Sequence, residues 1–154
     1  TLKQTGYFPT ALKAPLPPGM NIWEYTVSVW RQASETMALL AHQNGAVYVH
    51  LLQPNQWDDK TGGYDPIDPE HPYEWVINPV NEPYQLFRSA GLDLKQRGVD
   101  FVDITTIFNE QHSRDVYLDD CCHYTQLGNE LIFEFIIRHL SGQSNLRTKN
   151  ILYN

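Results

Sequence analysis

Two short apolar runs, "AVYVHLL" at residues 46–52 and "VDFVDI" at 99–104, most constrain how this chain can fold. Both are rich in β-branched and aromatic residues and too short for a helix, the pattern of strands buried on both faces. Each follows a longer stretch with helical periodicity. In the first, Asn21 is placed to cap and Glu24 to reach back to its amide. Trp23, Val27, Trp30, Met37 and Ala41 then recur near a 3.6-residue period until Asn44-Gly45 stops the run. A second helix is predicted from Asn81, with Pro83 in its first turn, to Arg97-Gly98. A third is predicted from a Thr125 cap to near Gly142, with Leu127, Leu131, Ile132, Phe135 and Ile136 on its apolar face. Helices alternating with short buried strands imply a parallel, right-handed α/β layer structure.

Two parallel strands are too few for such a sheet, which needs strand neighbours and helices on both faces. Either further strands lie within 1–20 or 60–80, or the chain is part of a larger sheet; the second reading is favoured, and the segment reads as one half of a domain. Residues 1–20 form a Pro-rich lead-in, 21–141 the α/β part, and 142–154 a polar tail. Residues 53–80 carry Pro54, Pro66, Pro69, Pro72 and Pro79, the composition of a long loop, and loops this long commonly serve as lids or binding segments. Gln53, Trp57, Tyr64, Tyr73 and Trp75 could line a sugar or acyl pocket there, or the aromatics could simply pack the loop down.

Charge narrows the partners. Eighteen acidic and 11 basic side chains give a formal net charge of −7, without the basic stripe that a nucleic-acid or anionic-membrane partner requires. No apolar run approaches the ~20 residues of a membrane span. The two cysteines, Cys121 and Cys122, are adjacent; a bond between them closes no useful loop, so free thiols are expected. No second ligand pair with zinc spacing accompanies them, and no metal or other cofactor is expected.

These cysteines lie in "DDCCHYTQLGN", residues 119–129, where chemistry is concentrated. Asp120 and His123 are two residues apart. Such spacing lets a carboxylate engage one ring nitrogen while the other faces outward as a proton acceptor. Asp119 competes for the same role, and the bland alternative is a hydrogen-bonded pair at a helix N-terminus. A Cys nucleophile so near its own base would be poorly oriented. His50, inside the first strand, reads as a core histidine.

The block "DDCCHYTQLGNELIFEFI" resembles the closing segment of the SGNH (GDSL-like) hydrolases. Asp120, His123, Thr125, Gly128 and Asn129 match that pattern in order, and "VYVHLLQPNQWD" is similar to the family's penultimate core strand. The resemblance covers about residues 21–141. It implies a flavodoxin-like three-layer fold, a parallel sheet with helices on both faces, and ester hydrolysis by a Ser-His-Asp relay. His123 would be the base and Asp120 its orienting acid, with an acyl ester or acylated carbohydrate as substrate. Family habit also leans toward export. The family's "GDS" nucleophile motif and "GxND" oxyanion motif do not occur in this sequence. On this reading the serine and oxyanion donors belong to the N-terminal half or another chain, and residues 1–154 alone are inactive. The alternative is a catalytically degenerate binding or structural module.

Overall fold

A computed structural model describes residues 16–58, 74–119 and 123–152, with side chains described over 16–58, 83–119 and 123–142. The elements are α1 (Ile22–Gln43), β1 (Val49–Leu52), α2 (Glu74–Gln96), β2 (Asp100–Asp103), α3 (Ser113–Val116) and α4 (Gln126–Leu152). The two strands pair in parallel, Val49 opposite Asp100 through Leu52 opposite Asp103. Among the described residues this two-stranded sheet is the only one.

The start of α1 follows from its capping box. The Asn21 carboxamide oxygen accepts from the amides of Trp23 and Glu24, each at 2.9 Å, and the Asn21 amide donates to Glu24 Oε2 at 2.8 Å. Its buried face differs from the apolar stripe expected. Val27 and Ser34 are buried, Trp30 and Ala38 pack on the core, and Met37 is 55% exposed. A polar residue inside that face is explained by its partner: Ser34 Oγ lies 2.6 Å from His50 Nδ1 and 3.3 Å from Tyr48 Oη. Burial lowers the pKa of His50 from its ordinary 6.5, which favours the neutral ring, tilted 54° to that of Trp30 with centroids 4.3 Å apart. His50 is thus a satisfied core histidine.

Two expected boundaries move. Helix α2 starts at Glu74 rather than Asn81 and spans both Pro79 and Pro83. Proline in a helix interior removes one backbone hydrogen bond without forbidding the helix, so the prolines mark the start too late. Helix α4 runs through Gly142 to Leu152, so it ends later than expected and the polar segment 142–152 is helical. An internal glycine costs only about 1 kcal/mol, and no proline follows to stop the helix.

The main core joins Leu52, Leu94, Val99 and Phe101 with Trp30, Tyr84 and Phe87, between the sheet and helices α1 and α2. Gly91 permits this contact: a Cβ there would stand 2.1 Å from the ring of Phe101, itself 2% exposed. The same substitution should therefore have opposite signs at two helical glycines. Gly142→Ala meets nothing within 4 Å and gains the helix-propensity term of up to about 1 kcal/mol. At Gly91→Ala the overpacking penalty, about 1–3 kcal/mol, exceeds that gain, because the Phe101 ring is wedged against Trp30 and His50. Urea midpoints of the two variants check this; two midpoints moving the same way would refute the packing account.

On the opposite face of β1, Val49 and Leu51 join Val47, Ile136, His139 and Leu140 around a cavity of about 260 Å³. His139 Nε2 reaches Asp100 Oδ2 at 2.8 Å, tying α4 to β2. A second core of Phe108, Val116 and Tyr117, with Tyr124, Leu131 and Ile132 against it, lies under the start of α4.

Candidate functional site

Loops beyond the carboxyl ends of parallel strands are where α/β sheets place ligands. Here that edge is built by the segment after β1, the end of β2, and the segment before α4. The first turns sharply, with Trp57 N–H donating to Asn55 Oδ1 at 3.0 Å and Asp58 N–H to the Asn55 carbonyl at 3.0 Å. Three side chains tie it down. Tyr84 Oη donates to the Gln53 carbonyl at 3.2 Å, Tyr124 Oη to the Pro54 carbonyl at 2.6 Å, and Gln56 Nε2 to the Asp119 carbonyl at 2.9 Å.

Arg88 of α2 centres the second group. Its guanidinium pairs with Asp58, donates to Asp103 Oδ2 at 3.1 Å, and donates to Thr105 Oγ1 at 3.0 Å. Thr105 gives both its amide and hydroxyl to Asp103 Oδ1, at 3.0 and 2.7 Å. Partial burial pushes the Asp103 pKa up, but the Thr105 hydrogen bonds and Arg88 outweigh it and hold this carboxyl below its usual range. The result is an ionised clamp joining both strand ends to α2.

The third group carries the candidate chemistry. Tyr117 and Tyr124 form an antiparallel bridge, the Leu118 amide donates to the His123 carbonyl at 2.8 Å, and the Thr125 amide to the Val116 carbonyl at 3.0 Å. This hairpin neck sets Asp119 across from His123. Asp119 Oδ2 lies 2.5 Å from His123 Nδ1. Asp120, the acid favoured by spacing, lies outside the described residues together with Cys121 and Cys122. An ionised carboxylate can only accept, so the Nδ1 it holds carries a proton, and in the neutral ring Nε2 is then the acceptor. The His123 side chain is 71% exposed, and Asp119 is its one side-chain partner among the described residues. The contact thus orients an exposed ring through Nδ1, with Nε2 on its far side.

Thr125 closes the hairpin and starts α4. Its hydroxyl donates to the Asp115 carbonyl at 2.6 Å and accepts from the Gly128 amide at 3.3 Å. Gly128 is needed because a Cβ would stand 2.5 Å from the Val116 carbonyl oxygen. Asn129 Nδ2 donates to the Thr125 carbonyl at 3.0 Å. Beneath, burial first, then the nearby Tyr124, Tyr84 and Asp58, raises the Tyr117 pKa far above the usual phenol range, and its hydroxyl has no hydrogen-bond partner among the described residues.

Of the other residues expected to line a pocket, Gln53 is exposed and Trp57 is 4% exposed, packed rather than open. Tyr64 and Tyr73 lie outside the described residues, and Trp75 falls in the first turn of α2, where only the backbone is described. A concavity of about 600 Å³ between α1 and α2, lined by Arg31, Asp93, Ser28 and Ser89 among others, is formed by other elements than those carrying His123. Sequence reasoning passed over Gln56 and Arg88. Arg88 carried a signal, being a cation next to Phe87 on the inner side of a helix. No group of three or more His, Cys, Asp or Glu among the described residues could hold a metal, and no described helix is long and apolar enough to cross a membrane. Compared with known proteins, the chain matches no protein-family model, no curated sequence and no solved structure.

Proposed function

We propose that this chain supplies the acid–base half of an SGNH-type ester hydrolase, in which His123 is the general base and Asp119 orients it. The observation that carries the reading is the 2.5 Å contact from Asp119 Oδ2 to His123 Nδ1, with the rest of the ring open to solvent. Gln56 links the backbone of that carboxylate to the strand edge where substrate would sit. The scaffold would be a flavodoxin-like three-layer sheet with further strands contributed by the N-terminal half. On this reading the nucleophilic serine and oxyanion donors are supplied by that half or by another chain, as the family's two missing motifs imply.

In the assembled site, a serine Oγ attacks the acyl carbon of the ester while its proton passes to His123 Nε2. Collapse of the tetrahedral intermediate breaks the bond to the alcohol, which takes the proton back from Nε2. Water then repeats the sequence and releases the acid, regenerating serine. Asp119 stabilises the imidazolium in both halves. Acyl esters, acylated carbohydrates among them, are the substrate class.

The test is labelling by a serine-directed fluorophosphonate. The assembled protein should label, His123→Ala should abolish labelling, and residues 1–154 alone should not react. Equal labelling of the assembled protein after His123→Ala would sink the assignment and leave the degenerate binding module.

A further inference from the structure

We infer that Gln56 is a positioning residue for the His123 ring: its carboxamide fixes the Asp119 peptide and so selects Asp119 over Asp120 as the acid. The inference deepens the proposed function and rests on His123 being the base.

Asp119 stands one residue beyond the paired neck of the hairpin, whose described backbone bonds run from Thr125 to Val116 and from Leu118 to His123. Its side chain is 42% exposed, so packing does not fix it. The His123 amide reaches Asp119 Oδ1 only at 3.4 Å, longer than an ordinary N–H···O bond, and restrains it weakly. Gln56 acts on the backbone instead. Its Nε2 donates to the Asp119 carbonyl at 2.9 Å, and that carbonyl belongs to the peptide joining Asp119 to Asp120. A hydrogen bond there restrains the torsion on which the positions of both carboxylates depend. Released, the same peptide could turn and let Asp120 compete for the ring, as its spacing in the sequence invites.

Gln56 is built to position rather than to be positioned. It is 2% exposed, and a buried amide left without its hydrogen bond costs free energy, so its contact with Asp119 is held. The turn that carries it is anchored on three sides. Asn55 Oδ1 takes the Trp57 amide, Asp58 pairs with Arg88 of α2, and Tyr124 Oη donates to the Pro54 carbonyl. The firm side of the contact is therefore the turn, and the side that yields is the exposed arm bearing Asp119. A functional group keeps its geometry when the residues behind it are locked by packing and hydrogen bonds, and Gln56 is such a residue. A bond that merely satisfied a buried amide would leave the ring indifferent to its loss.

The experiment reads the ring by NMR of ¹⁵N-labelled imidazole nitrogens in residues 1–154, with His123 assigned from His123→Gln. At alkaline pH, where the ring is neutral, the parent should show the Nδ1–H form that Asp119 favours, and Asp119→Ala marks the ring without its acid. Gln56→Met keeps the buried volume but removes the donor. It should lower the ratio of Nδ1–H to Nε2–H by about fivefold, the weight of one hydrogen bond. Tyr124→Phe cuts the other tie between the same segments and should leave the ratio at the parent value. If Gln56→Met does not fold, Gln56→Glu, which sets an acceptor against the carbonyl, is read in the same way. An unchanged ratio in a folded Gln56 variant would overturn this inference alone. An equal fall in Tyr124→Phe would make the whole turn the holder and overturn it as well. A parent ring already in the Nε2–H form would overturn the acid–base reading and this inference together. Fluorophosphonate labelling enters none of these outcomes, so a failure of the hydrolase reading is seen separately.

Discussion

Arg88→Ala should destabilise the fold by about 3–5 kcal/mol, the range for removing one partner of a buried ion pair. The Asp58 side chain is 1% exposed and that of Arg88 12% exposed, so water does not replace the lost guanidinium. Arg88 also balances Asp103 and accompanies Thr105, and it lies over the Tyr84 ring at 5.8 Å. An exposed pair such as Arg138–Glu134 is the contrast, worth about 0.3–0.5 kcal/mol as an i,i+4 helix pair. The comparison decides between two views of the clamp. If the charge on Asp58 is the problem, Arg88→Met with Asp58→Leu should be less destabilised than the sum of the single changes. Urea unfolding of the four proteins measures the coupling. An Arg88→Ala midpoint equal to that of the parent would mean that Asp58 is reached by solvent and that the clamp holds nothing.

That clamp was nearly illegible in the sequence, and the reason is physical. Periodicity reports which face of an element is apolar, and it found α1, both strands and the start of α4 because their local patterns agree with their burial. It fails where a polar residue is buried against a distant partner. Ser34 with His50, Arg88 with Asp58, Gln56 with Asp119 and His139 with Asp100 are separated by 16, 30, 63 and 39 residues, and no local pattern tells which residue pairs with which. Pro79 and Pro83 misled for the opposite reason, since a strong local signal lost to the continuing helix. At the candidate site the motif singles out His123 as a candidate, but the carboxylate of Asp119 meets it through the register of the Tyr117–Tyr124 bridge, a tertiary fact. Counting along the chain cannot supply that register.

Asp119→Asn in the assembled protein should therefore slow fluorophosphonate labelling far more than Asp120→Asn. A buried relay acid is worth about 10⁴-fold through tautomer control; Asp119 is 42% exposed and water competes for the ring, so about 10²-fold is expected here. The amide should be the most harmful replacement. The carboxamide it introduces can offer an N–H to Nδ1, which moves the proton to Nε2 and leaves the outward nitrogen unable to accept one. Asp119→Ala removes the acid without imposing the wrong tautomer and should lose less. The order of labelling rates, parent above Asp119→Ala above Asp119→Asn, separates an orienting acid from a merely structural residue, for which the two variants would fall together. If Asp120→Asn proves the slow variant, the in-sequence spacing rather than the hairpin register selects the acid, and the 2.5 Å contact at Asp119 is a loop closure without a part in proton transfer.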